Sequence, residues 1–170
     1  HDSAERLSFG AKLFESSGIF ISQVYNGEMK RIELEDQYGP VSVYLLPFLK
    51  PATVRHALQR EDINTYEEGV VAALQECEID RLQRNILVAH QFVTGANRSD
   101  SEETSVGGLD NVSAEVFEGF DYVALGHIHR PQKMGRETLR YSGTPLKYSF
   151  WEADHKKLVT IVELLEKGNV

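Results

Sequence analysis

The chain has 170 residues, of which 26 are acidic and 18 basic, giving a formal net charge of −8, with 41% apolar and 26% charged residues. That balance belongs to one soluble globular domain large enough for its own core, and it excludes a disordered chain, a collagen-like chain and a disulfide scaffold. Cys77 is the single cysteine and can form no internal disulfide, no run approaches the ~18 apolar residues of a membrane span, and no secretory segment opens the chain.

A reducing, cytoplasmic setting with no membrane is therefore expected. The chain begins with His1, Asp2, Ser3 and Ala4 rather than Met, so a fragment of a longer protein is expected. Asp2 or Ser3 can cap a first helix with Leu7, Ala11 and Phe14 on one stripe, weakened by Gly10 and ended by Gly18. Residues 19–24 and 29–34 are β-rich runs around Asn26 and Gly27, a pair suited to a tight hairpin turn. After Tyr38, Gly39 and Pro40, residues 41–46 are almost wholly apolar, as in a strand covered on both faces, and Pro47 stops them.

Residues 65–82 open with Thr65 and Glu68 in capping-box spacing and place Tyr66, Val70, Leu74 and Cys77 along one face, which predicts a helix with Cys77 as packing. Residues 85–92 form an apolar strand that ends in His90. Residues 98–108 have no periodicity and are expected to be an exposed loop, followed by a short helix over 112–117. Residues 120–125 repeat the buried-strand pattern and run into Gly126, His127, Ile128 and His129. Strands near Lys133 and over 139–141 are expected to pair across Gly135 and Arg136, and residues 158–164 read as a closing strand. Strands alternating with helices in the middle and pairing as hairpins at both ends predict an α/β fold, with a mixed sheet or two stacked sheets flanked by helices.

The chemistry concentrates on His90, His127 and His129, each at the end of an apolar strand. Sites in α/β folds form beyond the carboxyl ends of strands. Side chains of an extended segment repeat every second residue, so His127 and His129 point the same way and can serve one metal or two adjacent ones. A lone histidine such as His90 is by default a hydrogen-bonded rim residue; joint placement after buried strands is what favours metal. Three imidazoles suit zinc, and spacing alone does not choose between zinc and a two-metal site. His56 and His155 lie in polar contexts and read as surface residues. Tyr148, Phe150 and Trp151 could stack on a base, although such a cluster is more often core or a partner interface.

Charge is unevenly spread. Residues 100–121 carry seven acidic and no basic side chains, whereas Arg130, Lys133, Arg136, Arg140 and Lys147 stand against Glu137 alone. If phosphate approaches the histidines, that basic stretch should form a positive face beside them and the loop over 100–103 should point elsewhere.

Several strings resemble the calcineurin-like metallophosphoesterases. His1, Asp2, Ser3, Ala4, Glu5 and Arg6 look like the continuation of the family's Gly-Asn-His-Asp motif from its histidine. Ala89, His90 and Gln91 resemble its next metal histidine, and Gly126, His127, Ile128 and His129 its Gly-His-x-His motif. The flanks, from Phe120 to Leu125, Arg130 to Gln132 and Tyr141 to Tyr148, resemble those of the family's bacterial DNA nuclease subunits over nearly the whole chain.

The resemblance implies that residues 1–170 are the C-terminal portion of one metallophosphoesterase domain, a two-sheet sandwich incomplete at its N-terminal side. It implies His1 as the catalytic histidine, His90 and His127 as ligands of one metal and His129 as a ligand of the other. The cofactors implied are two divalent ions, with manganese expected; the partners implied are DNA, an SMC-like ATPase subunit of the SbcC type and a second nuclease subunit in a homodimer. The family's early Asp-x-His, bridging Asp and motif Asn have no counterpart here, so the chain as it stands is expected to be inactive. Rival readings are a phosphodiesterase or phosphatase of small molecules, and a non-catalytic assembly module.

Overall fold

A computed structural model describes residues 10–97 and 110–170, and the fold is mixed α/β. Six strands form the main sheet: β1 (Lys30–Asp36), β2 (Gly39–Leu46), β3 (Arg84–His90), β6 (Tyr122–Gly126), β7 (Gln132–Met134) and β8 (Arg136–Tyr141), in the order β1-β2-β3-β6-β8-β7. The four inner strands run parallel, while β1 and β7 join antiparallel at the edges. A second, two-stranded sheet pairs β4 (Phe92–Val93) with β5 (Asn111–Val112). The helices are α1 (Ala11–Glu15), α2 (Pro51–Leu58) and α3 (Tyr66–Gln75), with 3-10 turns at Ala114–Phe117 and Phe150–Glu152. Among the described residues no helix is long and apolar enough to cross a membrane.

The inner strands are the apolar runs of the sequence, and alternation sorts their side chains onto two faces. Tyr44, Leu46, Leu87, Ala89, Val123, Leu125, Leu139 and Tyr141 are all buried and cluster with Val54, Ile63, Val70 and Ala73 from the α2–α3 side. Gly69 faces Val54 and Ile63 where the two helices meet. The other face is less covered: Ile86 and Ala124 are half-buried and Val88 is 41% exposed. His90 shares the parity of Ile86 and Val88 and is paired with Gly126, so it rises from the end of this second face.

Local chemistry explains the boundaries. Thr65 Oγ1 accepts from the Glu68 amide at 3.1 Å and Glu68 Oε2 accepts from the Thr65 amide at 2.9 Å, completing the predicted capping box. The helix is shorter than expected, and Cys77 lies just past its end, packed half-buried against the core. Strands β7 and β8 meet across Gly135, whose φ of 72° only glycine adopts at low cost.

Two expectations are corrected. The hairpin around Asn26 and Gly27 does not form: Asn26 Oδ1 accepts from the Glu28 amide, but residues 19–24 carry no strand, and the hairpin partner of β1 is β2. Its turn lies at Gln37 and Tyr38, where Asp36 Oδ1 accepts from the Tyr38 amide at 2.8 Å. The closing strand over 158–164 is absent, and Val159 and Ile161 are 86% and 91% exposed. Residues 41–46 of β2 are covered on both faces as expected, whereas Val88 leaves β3 partly open on one face. The loop over 98–108 and the N-terminal part of the first helix, with Leu7, lie outside the described residues.

The amino ends of the parallel strands are closed by charge. Arg84 is buried and donates to Asp36 Oδ1 at 2.5 Å, to Asp36 Oδ2 at 3.0 Å and to the Leu165 carbonyl at 3.0 Å; its guanidinium holds the Asp36 carboxyl below the usual carboxylate range. Burial pushes the Asp121 carboxyl up, but Lys167 and the amides of Asn85 and Gly168 outweigh it and hold the group low. The opposite, carboxyl end of the sheet is left for the histidines.

Candidate functional site

Strand β3 delivers His90 and strand β6 delivers His127 one residue past its end. Their rings stand 5.3 Å apart between centroids and nearly perpendicular, at 80°. Phe48 stacks on His127 at 6.0 Å and meets His90 edge-on at 6.2 Å, while Phe92 touches His127 from the side at 6.3 Å. Burial in this aromatic box, followed by the adjacent His127, pushes the His90 imidazole down to about 4, so His90 is neutral at physiological pH.

Two backbone features make the pairing possible. A Cβ on Gly126 would come within 2.8 Å of His90 Nδ1, so glycine leaves the cradle in which the His90 ring lies. His127 has a φ of 98°, in the left-handed region that favours glycine. A strained non-glycine residue persists only where its surroundings hold it, which is common at working sites. The strain turns the chain at the end of β6 and lays the His127 ring beside that of His90.

His129 is held differently. Its Nδ1 lies 2.8 Å from Oε1 of Glu152, a side chain with 0% exposure. Glu152 Oε2 accepts from Lys157 Nζ at 2.6 Å, and the same ammonium donates to Thr144 Oγ1 at 2.7 Å and to the His129 carbonyl at 3.0 Å. The Thr144 amide also donates to the His129 carbonyl at 3.2 Å. Gly143 lets this segment approach: a Cβ there would stand 2.7 Å from both the His129 carbonyl oxygen and Pro131 Cδ. The Tyr148 ring lies 6.2 Å from that of His129.

The chain reversal after His90 is pinned by Tyr141, whose hydroxyl donates to the Gln91 carbonyl at 2.8 Å and accepts from the Val93 amide at 2.7 Å. Gln91, wholly buried, donates from Nε2 to the Pro47 carbonyl at 3.0 Å, tying the end of β2 to the same reversal.

The structure thus brings His90 and His127 together and turns His129 toward Glu152. Among the described residues no group of three or more His, Cys, Asp or Glu side chains is arranged to hold a metal ion. His1 lies outside the described residues. The cradle at Gly126 and the two convergent imidazoles fit the nitrogen half of a metal site, and His129 is held separately by Glu152. His56 is exposed on α2, and His155 is half-buried beside the 3-10 turn at Phe150–Glu152.

The expected positive face is diluted. Lys133 and Arg140, opposite each other on β7 and β8, both pair with Glu137, at 2.5 and 2.6 Å. Arg136 begins β8, at the end of the sheet opposite the histidines, and its guanidinium caps the Phe117 and Phe120 carbonyls at 3.1 Å. Lys147 donates to the Ala153 carbonyl, and Arg130 is exposed. The loop over 100–103 lies outside the described residues.

Sequence reasoning missed Glu152 and Lys157, which carry no motif spacing to His129. No family model matches the chain.

Proposed function

We propose that this chain is the C-terminal portion of the nuclease domain of a metal-dependent DNA phosphodiesterase of the SbcD type, a cytoplasmic enzyme of DNA repair and recombination. The observation that carries the reading is the perpendicular pair of His90 and His127 rings, 5.3 Å apart at the carboxyl ends of adjacent parallel strands. The motif strings around them resemble the calcineurin-like metallophosphoesterases. In this reading His90 and His127 hold one divalent ion and His129 takes part in holding a second, manganese being the expected metal. Bound ions would supply Lewis-acid charge that offsets the negative charge developing on a phosphodiester.

The chain's own residues do the positioning. Gly126 and the strained His127 backbone seat one imidazole pair, Glu152 orients His129, and Phe48 with Phe92 packs against the rings. His1 carries over by resemblance as the histidine that assists the leaving oxygen. An SbcC-type ATPase and a second nuclease subunit are the partners the resemblance implies.

The test restores the upstream stretch and assays manganese-dependent cleavage of hairpin DNA beside a nitrophenyl phosphodiester. Cleavage of the hairpin is expected, with His129→Ala abolishing it and His155→Ala leaving it intact. The chain as it stands is expected to cut neither substrate. Hydrolysis of the small ester alone would replace the reading with that of a small-molecule phosphodiesterase, and absence of metal binding in the restored protein would replace it with that of an assembly module.

A further inference from the structure

We infer that Tyr148, Phe150 and Trp151 form a stacking platform for the unpaired bases of single-stranded DNA, beside His129. The inference deepens the proposed function, since DNA as the ligand rests on that reading.

A short string of large rings normally folds inward and leaves its charged neighbour in water. Residues 148–152 do the opposite. Tyr148, Phe150 and Trp151 are 62%, 98% and 71% exposed, while Glu152 is wholly buried. Glu152 Oε2 accepts from Lys157 Nζ at 2.6 Å and from the Tyr148 amide at 3.4 Å, so the carboxylate anchors the segment from inside. The 3-10 turn closes with the Glu152 amide donating to the Ser149 carbonyl and the Ala153 amide to the Phe150 carbonyl, each at 3.1 Å. Lys147 spans the turn to the Ala153 carbonyl. The rings therefore project from a fixed frame, which spares a ligand the cost of ordering it.

Position and charge select the ligand. Cα atoms three residues apart lie within about 11 Å, so the three rings belong to one local surface, and the Tyr148 ring lies 6.2 Å from that of His129. Every base has a π-face, so exposed rings beside cations bind single strands without reading their sequence. Aromatic rings also mark protein interfaces, but lysine is depleted there. In a chain of net charge −8, residues 145–157 carry three lysines against two acids, one of them the buried Glu152. Lys156 and Arg130, which follows His129, are exposed beside the one exposed acid of the stretch, Asp154. A duplex hides its base faces in its own stack, so unpaired bases are the fitting ligand.

Trp151 is the single tryptophan of the chain, so its emission reports on this surface alone. The experiment titrates the full chain, in EDTA and without metal, with a short thymidine oligonucleotide, an abasic deoxyribose-phosphate strand of the same length and a blunt duplex. The thymidine strand is expected to quench Trp151, and the abasic strand and the duplex to leave it unquenched. Phe150→Ala removes a side chain that is 98% exposed, so circular dichroism should be unchanged. It should weaken the thymidine strand about 5–150-fold and leave the abasic strand unaffected. Absence of quenching, equal affinity for the thymidine and abasic strands, or an unchanged affinity in Phe150→Ala would overturn the inference. So would a blue shift of Trp151 that follows protein concentration alone, since a second copy would then cover the rings. Because no metal is present, the two readings fail separately. Quenching by a protein that binds no metal once the upstream stretch is restored would remove the nuclease reading and leave the platform, and cleavage without quenching would do the reverse.

Discussion

The two histidine environments at the carboxyl end of the sheet prepare imidazole in opposite ways. His90 and His127 sit half-buried in an aromatic box, where desolvation and mutual repulsion keep His90 neutral and backbone geometry sets the rings. His129 sits against a buried carboxylate and an ammonium, where charge sets the ring. The two environments fail under different insults. The first is sensitive to shape and to acid, the second to the loss of either charged partner.

The largest effect is expected on the charged side. Lys157→Met leaves the carboxylate of Glu152 buried without its ammonium, and breaking such a pair costs about 3–5 kcal/mol. Urea unfolding at neutral pH checks this, and a loss under about 1 kcal/mol would show the pair to be incidental. Next is Gly143→Ala, which combines a disfavoured φ of 75° with approaches of 2.7 Å to the His129 carbonyl and to Pro131. A loss of roughly 2–3 kcal/mol is expected, read as a fall in melting temperature.

On the shape-controlled side, His127→Gly and His127→Ala should part company. Glycine relieves the positive φ and alanine does not, so the glycine variant should be more stable than the alanine variant by about 1 kcal/mol, while both lose the ring. Equal stabilities would mean that the backbone at His127 is not strained. The smallest effect is acid sensitivity. His90 is depressed from 6.5 to about 4 in the folded chain, so between those values the unfolded state binds more protons. Stability contributed by His90 is therefore complete above about 6.5, falls as pH drops toward 4 and levels off below. Urea midpoints against pH should show that slope, flattened in His90→Gln.

Much of this was legible in the sequence for physical reasons. Strands β2, β3 and β6 are apolar runs whose burial leaves few alternatives, and Thr65 with Glu68 is a purely local device, so the capping box needed no tertiary information. The strand-terminal placement of His90 and His127 followed from the same runs. Local signals misled where tertiary pairing decides. Asn26 and Gly27 do make a turn, but the Lys- and Glu-rich β1 finds its neighbour in β2 across Gln37 and Tyr38. Residues 158–164 have a strand's composition yet pair with none of the described strands. Glu152 and Lys157 escaped because their partner, His129, is distant in sequence, and a carboxylate's burial cannot be read from its neighbours alone.

The hydroxyl of Tyr141 has a reach that the strand order makes informative. It belongs to β8, yet it binds the chain just past β3, with β6 lying between them. The phenol therefore closes over an intervening strand and joins the reversal after His90 to the far side of the sheet. Amide hydrogen exchange should register this: Val93, in a strand of only two residues, should lose its proton on the timescale of the central sheet rather than that of a loop. Tyr141→Phe keeps the ring and removes the tether, and should return that single amide to the fast exchange of an ordinary turn.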